Sequence, residues 1–288
     1  GNFARATPDS DFTEAALKKC QLTVQISTKL NRSHVVHGTD ALILPCLGRS
    51  EMDAQEKGRQ SVTVEDSMSM VHSSTGRQKP ASKALRSEPA IVAGMASATL
   101  GDSPTDWNWL VADYNRIREL ISKAIAGFEN FNERLGMPGG FYLGNTAASR
   151  NWINPTEKAR FVAYSIPDNC VPEGCLRLMT IRSHDQYNTT IYGLDDRYRG
   201  IKNERRVLFL NPDDISDQGL QTDQLVDLQS EYGDGQQRRA NGFRVVPYAI
   251  RKGCAAAYFP ETNVLISVKD IADRSHTPVS KFVPIRVL

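Results

Sequence analysis

The chain has 288 residues, 40% of them hydrophobic and 24% charged, a globular composition rather than that of a disordered segment. A formal net charge of +2, with Lys and Arg interleaved among Asp and Glu, argues against a nucleic-acid surface. No apolar run approaches the roughly 20 residues of a membrane helix, so neither nucleic acid nor membrane is an expected partner.

Cys20, Cys46, Cys170, Cys175 and Cys254 are odd in number and scattered, unlike a secreted disulfide scaffold. They fit a reducing, cytoplasmic compartment. Cys170 and Cys175 lie close together but lack the second pair that a zinc or iron–sulfur site needs. No signal peptide is visible, and the chain starts at Gly1 as a fragment or processed product would.

In chain order, Asp11 and Glu14 are spaced as a capping box opening a helix that runs to Lys19. Leu22 to Ser27 reads as a strand, Thr28 to Asp40 as a polar loop, and Ala41 to Pro45 as a buried strand ended by proline. Ser61 to Val64 is another β-rich stretch. Ser87 is placed to cap a helix with Glu88 and Pro89 in its first turn. Leu110, Tyr114, Ile117, Ile121 and Ile125 form the stripe of one further helix, ending at Gly127, with Trp107 and Trp109 packing it down.

Residues 136–158, rich in Gly, Pro, Asn and Ser, read as an interdomain linker between an α/β domain over 1–135 and a second domain over 159–288. In the second domain, Leu176 to Ile181, Arg206 to Leu210, Gln224 to Leu228, Phe243 to Ile250 and Phe282 to Val287 are short strand candidates. Such strands with turn signals between them suggest a barrel. One small helix interrupts them, with Asn211 as N-cap, Pro212 first and Gly219 just past its end. Gln236 to Arg239 reads as an exposed turn.

The densest polar run, Thr180 to Thr190, directly follows a strand. It sets hydroxyls, a guanidinium, an imidazole and amides within eleven residues. Arg with Ser or Thr suits phosphate oxygens, and Asn, Gln and His suit a heterocycle edge. The plainer alternative is a hydrated surface loop. His34 and His37 lack a carboxylate or Cys partner for a metal, and His72 and His276 read as solvated or satisfied by backbone. Asp195, Asp196, Arg197 and Arg199 read as an ion-pair cluster of little energetic weight. Adjacent His184 and Asp185 point apart too readily to form an acid–base pair.

The run Leu178 to Gly200 (LMTIRSHDQYNTTIYGLDDRYRG) resembles the C-terminal dinucleotide-binding domain of formate-dehydrogenase-like molybdopterin oxidoreductases. Val207 to Asp214, Asn263 and Thr277 to Val287 are similar to later parts of that domain. Gly1-Asn2, Ser27 to Ser33 and Leu42 to Pro45 are similar to the α/β domain before it. The resemblance covers nearly the whole chain.

It implies α/β plus mainly β architecture: a partial Rossmann-like α/β domain followed by a six-stranded double-psi β-barrel. It also implies a bis(molybdopterin guanine dinucleotide) cofactor carrying molybdenum or tungsten. By position, Thr180, Arg182, Ser183, His184, Gln186, Asn188 and Thr189 would meet the pterin and phosphates. Asn263, Lys281 and Phe282 would lie near the same ligand. Gly1 and Asn2 would abut the second nucleotide, where a residue without a side chain permits close approach, and Ser27 and Thr28 its diphosphate or ribose. The metal ligand and any iron–sulfur cluster would belong to an N-terminal region not in this sequence, so no catalytic residue and no metal ligand is assigned here. That N-terminal remainder, and an electron-transfer subunit, are the expected partners, and the chain would be inactive alone. The competing expectation is a non-catalytic binding or assembly module that keeps the fold. An unrelated β-barrel decarboxylase or hydrolase would need a processed Ser or a nucleophile elbow, and neither is found.

Overall fold

The computed structural model describes residues 1–166 and 170–288. The chain folds as two compact units: Gly1–Gln25, Leu30–Leu42 and Ile166–Leu288 in one, Ile26–Lys29 and Ile43–Ser165 in the other.

Two short helices begin the chain, α1 (Phe3–Ala6) and α2 (Ser10–Lys18). The expected capping box does not form. Asp9, in the left-handed region at φ 49°, precedes α2 without a side-chain cap, and Glu14 instead binds Arg32 through Nε (2.7 Å) and Nη2 (2.8 Å). Strand β1 (Leu22–Ser27) pairs with β2 (Asp40–Pro45), and a 3-10 turn at Arg32–His34 lies between them. β2 is a strand as expected but is not buried: Leu42 and Ile43 stay 50% and 49% exposed. A two-stranded sheet does not sandwich its apolar run as a covered parallel sheet does.

The unit that includes Ile43–Ser165 holds the hairpin β3 (Ala54–Gln55) and β4 (Gly58–Arg59), then β5 (Val62–Glu65) and β6 (Met70–Ser74). Helix α3 (Glu88–Leu100) starts where Ser87 Oγ accepts from the Ala90 amide, 3.3 Å. The single long helix expected next is two, α4 (Trp107–Ala112) and α5 (Tyr114–Ala124). Asp113 leaves helical geometry at φ −151°, ψ 111°, and its carboxylate accepts from the Asn115 amide, 3.0 Å. An aspartate that can cap is a competitor to helix continuation. Trp109 does not pack the helix down; it is 48% exposed, with the Arg116 guanidinium 4.4 Å from its ring. Helix α6 (Phe131–Leu135) and β7 (Phe141–Tyr142) follow, the latter pairing with β6 from within the stretch read as linker. Val71, Phe131 and Phe141 form a small core, and His72 pairs with Asp66 at 2.9 Å rather than with backbone.

In the other unit, six strands close a barrel: β8 (Leu176–Ile181), β9 (Val207–Leu210), β10 (Leu225–Ser230), β11 (Arg238–Pro247), β12 (Cys254–Tyr258) and β13 (Val283–Val287), in the order β10-β11-β9-β12-β8-β13. β9–β11 and β8–β12 run parallel, and the other four pairs antiparallel. Leu178, Leu208, Leu228, Phe243, Val245, Ala255, Ala257 and Ile285 fill the largest core cluster. β9 is buried at all four positions because alternate residues serve two clusters, Leu208 and Leu210 in the largest, Val207 and Phe209 in a second with Tyr258. Helix α7 (Pro212–Asp217) is capped as expected, Asn211 Oδ1 accepting from the Asp213 amide at 2.8 Å.

The expected exposed turn at Gln236 to Arg239 is corrected by Arg238, which opens β11 and is 5% exposed. Its Nε donates to Asp9 at 2.8 Å, and its Nη atoms donate to Asp234 at 3.1 and 2.9 Å and to Ser267 at 3.3 Å. The initial segment is thereby tied to the barrel. Asn263 adds to this tie: its carbonyl accepts from the Asp9 amide, 2.8 Å, and its side chain donates to Arg5 O, 2.9 Å.

Candidate functional site

Strand β8 delivers Thr180 and Arg182 to the start of the polar loop. Thr180 is buried, its amide bonded to Ser280 O at 3.0 Å, and its carbonyl accepts from Lys281 Nζ. β8 and the segment before β13 therefore bring Arg182 and Lys281 together. Arg182 is exposed; its Nη2 donates to Asn188 Oδ1 at 2.6 Å, and its guanidinium lies 5.8 Å from the Phe259 ring. Asn188 sits at φ 46°, a left-handed position that asparagine tolerates better than most residues. Burial, and then the nearby Arg182 charge, pull the Lys281 ammonium below its usual pKa.

Gln186 folds the loop back on itself. Its Oε1 accepts from the Ser183 amide (2.9 Å), and its Nε2 donates to Asn188 O and Phe259 O, both 2.8 Å. Beneath it lies a residue that sequence reading did not single out. Arg205, 6% exposed, donates through Nε to Glu261 (3.0 Å), through Nη1 to Ser183 Oγ (2.9 Å) and Gly193 O (3.4 Å), and through Nη2 to Gln186 Oε1 (3.0 Å) and Phe259 O (2.7 Å). The Tyr192 and Tyr258 rings lie 4.5 and 5.0 Å from its guanidinium carbon.

A second buried ion pair overturns the expectation of a weak surface cluster. Asp196 is 1% exposed, and its Oδ2 accepts from Arg199 Nη1 (2.6 Å) and from the Tyr258 hydroxyl (2.8 Å). Burial pushes this carboxyl up, but the Tyr258 and Arg199 hydrogen bonds outweigh it and hold the pKa below the usual range. The same burial, with Asp196 alongside, pushes the Tyr258 phenol up. Arg199 also donates to Arg182 O at 3.2 Å.

Arg182, Ser183, Gln186 and Asn188 thus form one hydrogen-bonded group, and Thr180 and Lys281, bonded to each other, adjoin it through the chain at Arg182. His184 lies in the same loop but stacks on Tyr198, with ring centroids 3.6 Å apart, and Arg197 lies 4.7 Å over that Tyr198 ring. Thr189 and Phe282 are half-buried. Asn263 is 2% exposed, with its amide spent on Arg5. Gly1 is exposed, and a Cβ built on it meets nothing within 4 Å, so packing within the chain does not demand glycine there. Its carbonyl accepts from Asn31 Nδ2 at 3.5 Å, while Asn2 Oδ1 is buried without a partner among the described residues. Ser27 turns onto Lys29, whose amide donates to Ser27 Oγ at 3.3 Å, and Thr28 is exposed; both belong to the other compact unit.

Among the described residues no group of three or more His, Cys, Asp and Glu could hold a metal ion, and none of the five cysteines is in a disulfide. Among the described residues no helix is long and apolar enough to cross a membrane.

The chain is 50% identical to uncharacterized oxidoreductases of Mycobacterium bovis and Mycobacterium tuberculosis and 42% identical to Protein YdeP of Escherichia coli, all of it aligned in each case. It spans 38% of the length of these relatives. Among solved structures it superposes on acetylene hydratase from Pelobacter acetylenicus with a TM-score of 0.62 at 12% identity, over 100% of this chain and 43% of that one, a likeness of fold. Residues 176–284, which take in the strands from β8 to the start of β13 and the whole Arg182 group, match the molydopterin dinucleotide binding domain family.

Proposed function

We propose that this chain is the cofactor-gripping C-terminal portion of a molybdopterin-dependent oxidoreductase of the formate-dehydrogenase-like kind. In this reading the closed barrel has double-psi topology, and the α/β part belongs to a larger Rossmann-like domain built with an N-terminal remainder of the same protein. A cytoplasmic location and an electron-transfer subunit as partner are part of the same proposal.

One observation carries it: within the segment that matches the dinucleotide-binding domain, Arg182, bonded to Asn188, and Lys281, bonded to the carbonyl of Thr180 two residues before Arg182, come near each other without a carboxylate pairing to either among the described residues. Two cations held close repel each other, and an anion between them relieves that cost. The donor set fits a pterin dinucleotide. The Arg182 guanidinium and Lys281 ammonium suit diphosphate oxygens, and the Asn188 and Gln186 amides with the Ser183 hydroxyl suit the edges of a hydrogen-bonding ring. When bound, the cofactor would supply two-electron chemistry at molybdenum or tungsten. The chain's own share is to bind the phosphates, orient the ring and place positive charge beside it.

Arg182→Ala in the full-length protein tests this. Metal and pterin per chain should fall at least tenfold, because the charge-assisted contact proposed with the phosphates would be lost while the Arg205 frame stays intact. Unchanged occupancy would refute the assignment.

A further inference from the structure

Five N–H bonds leave a guanidinium in one plane, and an arginine taken out of water needs to find an acceptor for each within the fold. Arg205 does: Glu261, Ser183, Gly193, Gln186 and Phe259 take one apiece, at 2.7 to 3.4 Å. These acceptors lie on two segments remote from residue 205, the loop at 183–193 and the turn after β12 at 259–261. The Tyr192 and Tyr258 rings lie within 4.5 and 5.0 Å of its guanidinium carbon. With side chains 5% and 9% exposed, Arg205 and Glu261 form a buried pair that leaves no donor of the arginine for a ligand.

We infer that Arg205 is the positioning residue of the candidate site, a planar anchor that fixes the 183–193 loop so that Arg182 and Asn188 face their ligand as a preset pair. The connection runs through three bonds. Arg205 holds Gln186 Oε1, and Gln186 in turn holds the Ser183 amide and Asn188 O. Asn188 is kept left-handed at φ 46°, where its Oδ1 meets Arg182. Without the anchor the loop keeps only its internal bonds and that of Gln186 to Phe259 O, and a ligand would have to order more of it as it binds. Lysine cannot substitute, since its three donors radiate from one point and do not lie in a plane. The proposal rests on the cofactor reading only for what the preset pair grips; the anchoring itself is a property of this chain.

The experiment is amide hydrogen exchange on the full chain, wild type against Arg205→Lys, with and without guanosine diphosphate as a diphosphate-bearing probe. In Arg205→Lys the amides of Ser183 and Gln186 should lose at least tenfold in protection while those of β8, β9 and β12 keep theirs, and the affinity for the probe should fall at least fivefold. In Arg205→Ala, tens of millimolar guanidinium should restore loop protection and methylammonium should not. A merely space-filling arginine would give no such distinction. Loop protection unchanged in Arg205→Lys overturns the anchoring role whatever the probe does. Loss of protection in the loop, with no probe binding by the wild type, upholds the anchor and counts instead against the cofactor reading.

Discussion

Arg238 is the place where the fold can be tested most sharply. Its guanidinium meets two carboxylates of unequal burial: the Asp9 side chain is 8% exposed, whereas that of Asp234 is 19% exposed. Arg238→Met keeps the stem and removes the charge. Asp234 can then turn to water, but Asp9 is left buried and unpaired, which costs about 3–5 kcal/mol. Asp9→Ala is the milder change, because Arg238 retains both bonds to Asp234; about 1.5–3 kcal/mol is expected from the one charged hydrogen bond lost. Asp9→Leu combined with Arg238→Met should recover at least about 2 kcal/mol of the single-mutant loss, since an apolar pair of similar volume replaces a buried ion pair at little cost. The assay is a urea titration read by hydrogen exchange of the barrel strands. At a slope of about 2–3 kcal/mol per molar urea, Arg238→Met should lower the midpoint by about 1–2.5 M. Equal losses for Arg238→Met and Asp9→Ala, or a loss below about 1 kcal/mol for Arg238→Met, would refute the reasoning from unequal burial.

Acid should weaken the same junction. Arg238 holds the Asp234 carboxyl at about 2, below the unfolded aspartate. Its contribution is therefore present above about pH 4 and lost as pH falls toward 2, which an acid titration of stability should show for the wild type and not for Asp234→Asn. Lys281 should titrate below a solvated lysine, and Arg182→Ala should raise its pKa without restoring the solvated value, because burial, the larger cause, remains. Nitrogen-detected NMR of the ammonium reads this, and no upward movement would mean that the two cations are not neighbours. Asp113→Ala removes the cap of α5 and should cost about 1 kcal/mol, visible as a lower thermal midpoint, whereas Asp113→Asn should be nearly silent.

Strand β8 was legible because Leu176, Leu178 and Thr180 point inward in alternation and the next residues are polar. The run Val207 to Leu210 was legible for the opposite reason, four apolar residues in a strand buried on both faces. β12 was not. Cys254-Ala255-Ala256-Ala257-Tyr258 has helix-favouring alanines, and only its place between β8 and β9 makes small side chains the right filling for a strand. The capping box failed because Glu14 found Arg32 eighteen positions away, and the long helix broke because Asp113 capped in place of continuing. At the candidate site the loop was readable as a cluster of donors, but its frame was not. Glu261 and Phe259 lie 56 and 54 positions from Arg205, a distance across which no local pattern speaks.

The same loop shows why a dense run of polar residues is a poor guide to which of them meets a ligand. Arg199 and Arg205 are as cationic as Arg182, yet each faces a carboxylate buried beside it, Asp196 in one case and Glu261 in the other. A cation neutralised inside the fold contributes rigidity and has little field left at the surface. Arg182 differs in that its hydrogen-bond partner is a neutral amide, and its neighbour Lys281 is another cation held partly out of water. The local excess of positive charge therefore sits at these two residues even though the chain as a whole is nearly neutral at +2. It follows that attraction for an anion here should be short-ranged, weakened by salt far less than binding steered by the charge of a whole basic face.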